Sequence, residues 1–542
     1  MRAAHRFHVA ADHEPIEPAE RPDNHPAHSC ERKAIVPAHL PEPHALPNPG
    51  RRQVLSLLAA APFIAPALGA LRPASATAAP ARRPNILIVM TDQERADIAR
   101  PAGFALPARD RIDAAGVRFA MHHTPTAPCT PARSTFFTGL QAPVNGMTDN
   151  VGGTGVVDHV LNLTGIANAN LDTAIPTLGT VLQQAGYHTA YIGKWHLSDP
   201  VGPDPAGLAG YGFHESHDVL GGGGPNEGLR ADPGVTDRAV NWLRDNATRS
   251  EPWLCVVSMV NPHDMMFCPR FYRLEDVPDH GAEVPPNFES DLSGKPHVQT
   301  VWRTLNTAVG GLMPGEATSP DGRRQWQQWG NWYLELMLRT DELIGRVLDG
   351  LDATGAAGDT VVVRVSDHGE LGGAHGLRQK GAMIYRENNR VPLTIADPRR
   401  PGTHGAAVCA LTSHIDLVPT LAALAGVAPI TTGRDLTPLL DNPARTVREA
   451  LLLTADAKSS GGAAPGVKYC LRGTVTPRYS FGRYSTPEGI DGPHSEFEYE
   501  LYDRQDDPQE LRNLAHEPAA AALVDELNGV VDALVAEELT PT

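Results

Sequence analysis

The chain has 542 residues and a formal net charge of −17, from 46 Lys and Arg against 63 Asp and Glu. So acidic a composition does not provide the basic surface that nucleic-acid binding requires, and we expect no nucleic-acid partner. The length allows a large core and more than one domain, while the six widely spaced cysteines resemble neither a disulfide framework nor a Cys-x2-Cys metal site.

The N-terminal region is predicted to be an extension followed by an export signal. Residues 1–50 are rich in His, Pro, Ala and Glu and have almost no apolar periodicity, so we expect disorder there. Arg51 and Arg52 then precede a short apolar run and the small residues Ala74-Ser75-Ala76. This order predicts a Tat-like signal peptide over 51–79 and an exported, periplasmic or secreted protein. Prolines and a glycine interrupt the apolar run, so no membrane anchor is expected.

Four short apolar runs end in ionisable residues, a pattern typical of buried parallel strands with functional groups at their ends. The runs are Asn85–Thr91, His188–Gly193, Trp253–Val260 and Thr360–Ser366. The groups that follow them are Asp92-Gln93, Lys194-Trp195-His196, Asn261-Pro262-His263-Asp264 and Asp367-His368-Gly369-Glu370. Because the carboxyl ends of parallel strands meet at one edge of a sheet, we expect these groups to surround one ligand site.

Helical patterns lie between the strand candidates. An apolar stripe within 325–351 predicts a long helix packed on the core, and 177–185 and 417–425 are shorter helix candidates closed by glycine. This alternation predicts an α/β domain over 84–430 whose large, mixed but mostly parallel central sheet is flanked by helices.

The pattern changes after Arg434. Short runs at 449–454, 467–471 and 479–481 predict strands of an antiparallel sheet. The phrase Glu500-Leu501-Tyr502-Asp503 then leads to an amphipathic helix over about 518–539. We therefore predict a smaller C-terminal α+β subdomain over 431–542, with an antiparallel sheet and one packed helix.

The most informative motif is Cys129-Thr130-Pro131-Ala132-Arg133-Ser134, followed by Thr138-Gly139. A single cysteine in a loop is usually a small buried hydrophobe, so the motif needs support from the rest of the chain. Its Cys-x3-Arg spacing does not match the Cys-x5-Arg loop of cysteine-dependent phosphatases. If the motif opens a helix, Arg133 lies about one turn beyond Cys129.

Together with the strand-end groups and the C-terminal phrase, this motif resembles the type I formylglycine-dependent sulfatases of the alkaline phosphatase superfamily. The resemblance covers about 84–540 and implies an alkaline phosphatase-like fold. It also implies that a formylglycine-generating enzyme oxidises Cys129 to formylglycine, whose hydrate attacks a sulfate ester. We therefore expect a sulfuric ester hydrolase, arylsulfatase-like, that releases inorganic sulfate from a small-molecule or saccharide ester.

The resemblance further implies one divalent metal ion, held by Asp92, Gln93, Asp367, His368 and the matured Cys129. Many family members carry Asp-Asp and Asp-Asn at these two strand ends. The Asp-Gln and Asp-His found here resemble the choline sulfatase and phosphonate monoester hydrolase branches. Oxygen ligands make calcium our first choice, while the imidazole favours manganese and magnesium is also compatible.

Five residues receive catalytic roles besides Cys129. Lys194 and His196 are two positions apart, so on an extended segment they would point to the same side and hold the sulfate and the diol. His263 would be the general acid at the leaving oxygen, because imidazole titrates near working pH. The resemblance implies that Lys380 is a second sulfate-binding lysine, and Arg133 would fix the diol by charge-assisted hydrogen bonds.

Other functions stay open at this point. The same nucleophile and metal could cleave a phosphonate monoester or a phosphodiester, which the Asp-Gln and Asp-His pattern favours. Choline sulfate would call for an aromatic cage. Seven tryptophans are available for one, Trp195, Trp242, Trp253, Trp302, Trp326, Trp329 and Trp332. A non-catalytic anion-binding protein is disfavoured, because anion binding alone does not require the cysteine, the carboxylates and the histidine together.

Two smaller features have structural interpretations only. The glycine run Gly221–Gly224 lacks the Lys-Ser/Thr of a phosphate-binding loop and predicts a flexible loop. Cys255 and Cys268 are near enough in sequence to form a disulfide bridge.

Overall fold

The computed structural model describes residues 83–151, 170–198, 207–289, 291–313, 320–429, 431–458 and 466–540. The predicted N-terminal extension (1–50) and signal peptide (51–79) lie outside these residues. Among the helices described, none combines the length and the apolar character needed to cross a membrane.

The described residues form two sheets of four or more strands and a set of covering helices. The strands are β1 Asn85–Asp92, β2 Val117–Phe119, β3 His122–His123, β4 His188–Lys194, β5 Glu215–Leu220, β6 Trp253–Pro262, β7 Thr360–Ser366, β8 Leu393–Ala396, β9 Ala407–Val408, β10 Thr412–Ser413, β11 Leu451–Ala455, β12 Cys470–Val475, β13 Tyr479–Ser485 and β14 Glu498–Asp503. The α-helices are α1 Pro107–Ala115, α2 Cys129–Thr138, α3 Ala142–Asn145, α4 Leu178–Gln184, α5 Glu227–Asn246, α6 His297–Gly310, α7 Pro320–Ala353, α8 Arg386–Asn389, α9 Leu417–Leu424, α10 Thr437–Asp441 and α11 Ala521–Glu538.

The main sheet has eight strands in the order β5-β4-β6-β1-β7-β8-β2-β9. Strand β1 is central and runs parallel to β6 and β7, and β4 continues the parallel set beyond β6. Strand β8 runs antiparallel to both of its neighbours, β7 and β2. The predicted mixed, mostly parallel sheet is therefore confirmed.

Both faces of this sheet are covered by helices, which explains why its central strands are continuously apolar. In β1, Ile86, Ile88 and Met90 face a cluster that includes residues of α2, α4 and α9. Leu87 and Val89 face the opposite cluster, formed with α1, α5 and α7. The helices on both faces exclude water from the strands, so only residues at the strand ends can contact a ligand.

The predicted helices at 177–185, 325–351 and 417–425 are confirmed as α4, α7 and α9. Thr177 starts α4 with a capping box, in which its side chain accepts a hydrogen bond from the amide of Thr180. The apolar stripe predicted in α7 is buried in the core, as expected from its helical spacing.

A second sheet, β11-β12-β13-β14, is antiparallel throughout. Helix α11 packs on one face of it through a compact apolar cluster, whose members are Leu452, Phe481, Leu501, Leu527 and Val531. The strand predicted at 467–471 begins only at Cys470, because its partner β13 ends at Ser485, the residue opposite. The antiparallel sheet with a packed helix is confirmed.

Cys255 and Cys268 do not form the bridge that their spacing allowed, because both are free, buried thiols. Cys255 packs in the apolar layer between the main sheet and α5, whereas Cys268 belongs to a separate cluster around α7. Proximity in sequence did not bring the two sulfur atoms together.

Candidate active site

Ionisable groups from four adjacent strands meet at the carboxyl edge of the main sheet, in the order β4-β6-β1-β7. Lys194 is the last residue of β4 and Asp92 the last of β1. His263 follows β6, and Asp367 and His368 follow β7. All five side chains are buried. The structure thus brings together the strand-end groups that the sequence predicted.

Cys129 is the first residue of α2, beside this edge. Its Sγ lies 3.1 Å from His368 Nε2 and 3.7 Å from Asp92 Oδ1. Burial and Asp92 oppose ionisation, but nearby cations, Lys380 and Lys194 first among them, hold the pKa of the thiol well below its usual value. The side chain that the motif singles out is therefore at the centre of the site.

Asp92, Cys129, Asp367 and His368 form a cluster that suits a metal ion, since one ligand atom from each lies within 4.8 Å of the others. His368 Nδ1 is 2.9 Å from the carbonyl oxygen of Gly369 and donates to it. Its Nε2 is therefore turned toward the cluster. Burial opposes protonation of this imidazole, but Asp367 and Cys129 raise its pKa, so a cation bound at Nε2 would have to displace a proton. Two carboxylates and a neutral imidazole fit a divalent cation.

Arg133 lies one turn along α2 and joins the two carboxylates of this cluster. Its Nε donates to Asp367 Oδ2 at 2.9 Å, and a terminal nitrogen donates to Asp92 Oδ2 at 2.9 Å. The other terminal nitrogen donates to the carbonyl of Lys194 and to Ser258 Oγ. The guanidinium thus binds the carboxylates directly, whereas the sequence predicted contact with the matured Cys129.

The two carboxylates differ in their pKa. Burial and the charge of Asp92 raise the pKa of Asp367 to about 7. Burial also opposes ionisation of Asp92, but Lys194, His263 and Arg133 outweigh it and hold its pKa well below the usual value. The cluster therefore contains one firmly ionised carboxylate and one that a cation would have to ionise.

Lys194 and His196 both reach the site, but the segment between them is not extended as predicted. Gly193 and His196 have positive φ angles of 101° and 56°, so the chain turns sharply where β4 ends. Lys194 Nζ lies 2.8 Å from Asp92 Oδ2. The imidazole of His196 interacts with Cys129, although burial lowers its pKa. The turn, rather than strand alternation, aims both groups at the site.

His263 lies immediately after β6, among buried polar groups. Burial, Lys194 and Lys380 lower its pKa to about 3, so it is neutral while no anion is bound. Asp232 accepts from the amides of Val260 and Asn261 at 2.7 and 2.9 Å, which fixes the strand end that carries the imidazole. The expectation of titration near neutral pH is not met in this state of the site.

Gln93 and Lys380 form a second polar contact beside the cluster. Gln93 Oε1 accepts from Lys380 Nζ at 2.5 Å, while its Nε2 donates to Glu370. Glu370 Oε1 also accepts from the amides of Gly372 and Gln379. Glu370 therefore orients Gln93 and the loop that carries Lys380.

Two buried ring nitrogens beside Cys129, His196 Nδ1 and His263 Nδ1, have no hydrogen-bond partner among the described residues. The Lys194 ammonium on a third side is ion-paired with Asp92 and has further N–H groups to donate. Buried polar groups are nearly always paired, because an unpaired one costs about 1–3 kcal/mol. Groups on three sides of one side chain are thus available to a ligand. An anion with several oxygen atoms would fit them.

Three buried supporting residues of the site, Ser258, Asp232 and His414, were not identified from the sequence. They stand in no motif, and only their contacts identify them. Glu370 and Asp264, also buried, belong to the predicted strand-end groups, but the sequence assigned them no role.

Comparison with known proteins is consistent with this geometry. The family model described as Sulfatase matches residues 84–427, and the model described as N-sulphoglucosamine sulphohydrolase, C-terminal, matches residues 373–537. The chain is 31% identical to the uncharacterized sulfatase YidJ of Escherichia coli K12 over 466 residues, covering 80% of this chain and 83% of that protein. It is 28% identical to an N-acetylglucosamine-6-O-sulfatase of Bacteroides thetaiotaomicron over 491 residues, with the same coverage.

A solved structure described as a 2-O GAG sulfatase has the same fold. It superposes with a TM-score of 0.65 at 22% identity, covering 84% of this chain and 93% of that one. The likeness therefore extends through both the main sheet and the C-terminal sheet.

Proposed function

The chain belongs to the sulfatase family, whose members are sulfuric ester hydrolases, and we propose that it cleaves its ester with a formylglycine derived from Cys129. The observation that carries this proposal is the ring of groups around Cys129 Sγ. A cluster suited to a metal ion lies on one side of it, and the Lys194 ammonium and two unpartnered imidazole nitrogens of His196 and His263 lie on the others.

The positions of the two lysines and of His263 suit sulfate binding and protonation of the leaving group. The ammonium groups of Lys194 and Lys380 would bind sulfate oxygens, where a fixed positive charge in a dry site stabilises developing negative charge. His263 would protonate the leaving oxygen. Its pKa is about 3 without a ligand, and the negative charge of a bound sulfate ester would raise it.

When formed, the formylglycine hydrate would supply one hydroxyl group to attack sulfur and a second to help release the sulfate. Arg133 holds Asp92 and Asp367 beside position 129, and His196, which interacts with Cys129, would orient the matured side chain. Asp367 is our candidate acceptor for the proton of the attacking hydroxyl.

Asp92, Asp367, His368 and Gln93 would hold the divalent cation together with the matured side chain. The cation would lower the pKa of the attacking hydroxyl. We propose calcium, because oxygen ligands predominate, with manganese or magnesium as alternatives. Gln93 would need to exchange its contact with Lys380 to become a ligand.

We propose a sulfated saccharide as the substrate class, supported by the likeness to an N-acetylglucosamine-6-O-sulfatase. A choline cage built from tryptophan has less support, because all seven of the tryptophans named above are buried in the apolar clusters. Phosphonate monoester or phosphodiester cleavage is the second candidate, favoured by Gln93 and His368 at the two strand ends.

The domain limits and the export route are also proposals. We assign residues 84–430 to the catalytic domain and 431–542 to the C-terminal subdomain. Residues 51–79 are proposed to direct export through the Tat pathway, after the cysteine has been modified and the chain has folded. Cell fractionation of a variant with Arg51 and Arg52 replaced by Lys tests this route, and unchanged export would contradict it.

Two measurements test the proposed chemistry. Mass spectrometry of the peptide containing Cys129 from natively expressed, active enzyme should show the mass change of thiol-to-aldehyde conversion. A fully unmodified thiol in active enzyme would refute the mechanism. Turnover of 4-nitrophenyl sulfate against an aryl phosphonate monoester, with Cys129→Ala as the inactive control, separates the two hydrolase candidates.

A further inference from the structure

The glycine run Gly221–Gly224 lies directly against the candidate active site, between β5 and α5. A Cβ atom added at Gly222 would lie 2.8 Å from His196 Nε2. One added at Gly223 would lie 3.0 Å from His263 Cε1 and 3.1 Å from its Nδ1. The sequence predicted only a flexible loop at this run. In the structure its backbone packs directly against the imidazoles of His196 and His263, which leaves no room for side chains at these two positions.

We propose that Gly222 and Gly223 are positioning residues, whose lack of side chains sets the places of His196 and His263. The inference rests on the proposed function, because it assigns these glycines to the proposed diol-orienting and acid groups. The same backbone also borders the sulfate-binding ammonium, since a Cβ at Gly223 would come within 3.5 Å of Lys194 Nζ.

The loop is tied at both ends to the elements that carry these histidines. At its start, the amide of Trp195 donates to the carbonyl of Leu220, the last residue of β5, at 3.0 Å. At its end, Asp264 accepts from the amides of Gly228 and Leu229 at 3.2 and 2.9 Å. A clash at the run therefore cannot be relieved by moving the loop away as a unit, so the imidazoles must move.

Gly228 packs the end of the loop closely against the segment that carries His263. A Cβ at Gly228 would lie within 2.6 Å of three side-chain atoms of Asn261, two residues before His263. The Asn261 side chain in turn accepts from the amide of Asp264 at 3.2 Å. The acid and the end of the loop thus form one packed unit.

Gly224 provides a matched control within the same run. The nearest atom to a Cβ there is Glu227 Oε2, at 3.8 Å, which is an ordinary contact. Neither Gly222 nor Gly224 has a left-handed backbone, so alanine at either avoids that strain, whereas Gly223 has a φ of 92°. Gly222→Ala and Gly224→Ala therefore differ mainly in the contact with His196.

Esters with different leaving groups distinguish a displacement of His263 from a general loss of activity. An ester of a good leaving group, such as 4-nitrophenol, leaves without protonation, whereas an alkyl sulfate requires the proton of His263. Gly223→Ala should lower kcat/KM for an alkyl sulfate by about 10²-fold, as an approximately 1 Å misplacement does, and for 4-nitrophenyl sulfate by only a few fold. Gly222→Ala should slow both esters equally, because His196 acts on the nucleophile.

The experiment compares wild type and the three alanine variants on both esters and measures the affinity for inorganic sulfate by calorimetry. We expect weaker sulfate binding in Gly222→Ala and Gly223→Ala, but not in Gly224→Ala. If Gly223→Ala fails to fold in a thermal melt, Gly222→Ala against Gly224→Ala still decides the outcome.

Two results would overturn the inference. One is equal behaviour of all three variants, and the other is the same leaving-group dependence in Gly223→Ala and wild type. A wild type without sulfate-ester activity would instead refute the proposed function, and the sulfate affinities of the variants would then decide the role of the glycines. A wild type that neither turns over nor binds sulfate would overturn both.

Discussion

The carboxyl edge of the main sheet and the C-terminal sheet both bury ionised or ionisable groups, but they satisfy them differently. In the C-terminal sheet, Glu500 on β14 is buried and accepts hydrogen bonds from Tyr484, Tyr502 and Gln299. At the carboxyl edge, His196 and His263 each keep a buried ring nitrogen without a hydrogen-bond partner among the described residues.

This difference separates structural from functional burial. Fully paired polar groups stabilise a unique packing, whereas unpaired ones cost stability that a ligand can recover on binding. The two regions should therefore respond in opposite ways to mutation. Substitutions at the edge should mainly change activity, and substitutions in the C-terminal sheet should mainly change the free energy of unfolding.

Arg133 should be the strongest exception: although it lies at the carboxyl edge, its substitution should change stability. Arg133→Met leaves two adjacent buried carboxylates without their shared cation, so the free energy of unfolding of the metal-free protein should fall by about 3–5 kcal/mol. Added divalent cation should recover part of the loss, as measured by urea unfolding with and without chelator. Arg111→Met, on an exposed ion pair, is the control and should change stability by less than about 1 kcal/mol. Equal effects of the two variants would contradict the prediction.

Substitution of Lys380 should mainly change activity, as expected for a residue at the carboxyl edge. No carboxylate lies within ion-pair distance of its ammonium in the described part of the chain, and its hydrogen bond goes to Gln93 Oε1. Lys380→Met should therefore lower the free energy of unfolding by only about 1 kcal/mol. Steady-state kinetics should show kcat/KM reduced by about 10²–10³-fold, the typical cost of losing one anion-stabilising donor.

Lys295 is the matched lysine beside the C-terminal sheet. Its Nζ donates to Tyr385 Oη and to the carbonyl of Glu510, and it lies over the ring of Tyr502. Lys295→Met should lower the unfolding midpoint while kcat stays unchanged. An inverted result, with Lys295 needed for turnover and Lys380 for stability, would reject the distinction between the regions.

The helix that covers the C-terminal sheet should respond only in stability. Leu527 is buried between α11 and the sheet, so Leu527→Ala should cost about 2–3 kcal/mol of unfolding free energy through the cavity it leaves. Glu526→Ala, on the exposed face of the same helix, should stay within about 0.5 kcal/mol. Activity assays at 25 °C should not distinguish either variant from wild type, and a lower kcat in Leu527→Ala would show that the sheet influences the site.

The smallest expected effect is a pH dependence at the end of α11. Burial raises the pKa of Glu538 to about 7, and Gln141 Nε2 donates to it at 2.6 Å. A raised carboxyl pKa stabilises the fold below its unfolded value and loses that contribution as pH rises through the folded value. Between about pH 5 and pH 8, wild type should lose about 1–2 kcal/mol more than Glu538→Gln. Parallel stability curves would disprove this assignment.

Much of the site was predictable because its chemistry follows strand ends. The runs ending at Asp92 and before Asp367 are long, apolar and unambiguous, so their carboxylates could be assigned to one sheet edge. The conformation of His196 was not predictable, because a left-handed turn after β4 leaves no strong mark in the sequence. Neither was the separation of Cys255 and Cys268, which depends on which layer each one faces.

The sequence by itself determined the four main strands, the helices α4, α7 and α9 and the candidate site groups, because apolar periodicity and the Cys129 motif are local properties. Only the tertiary structure decided their partners. Arg133 joins Asp92 and Asp367, positions separated by 275 residues, because β1 and β7 are neighbours in the sheet. Gly222 likewise meets His196 only because the loop after β5 is tied to the turn after β4. Such contacts depend on strand order and close packing, which involve the whole chain at once.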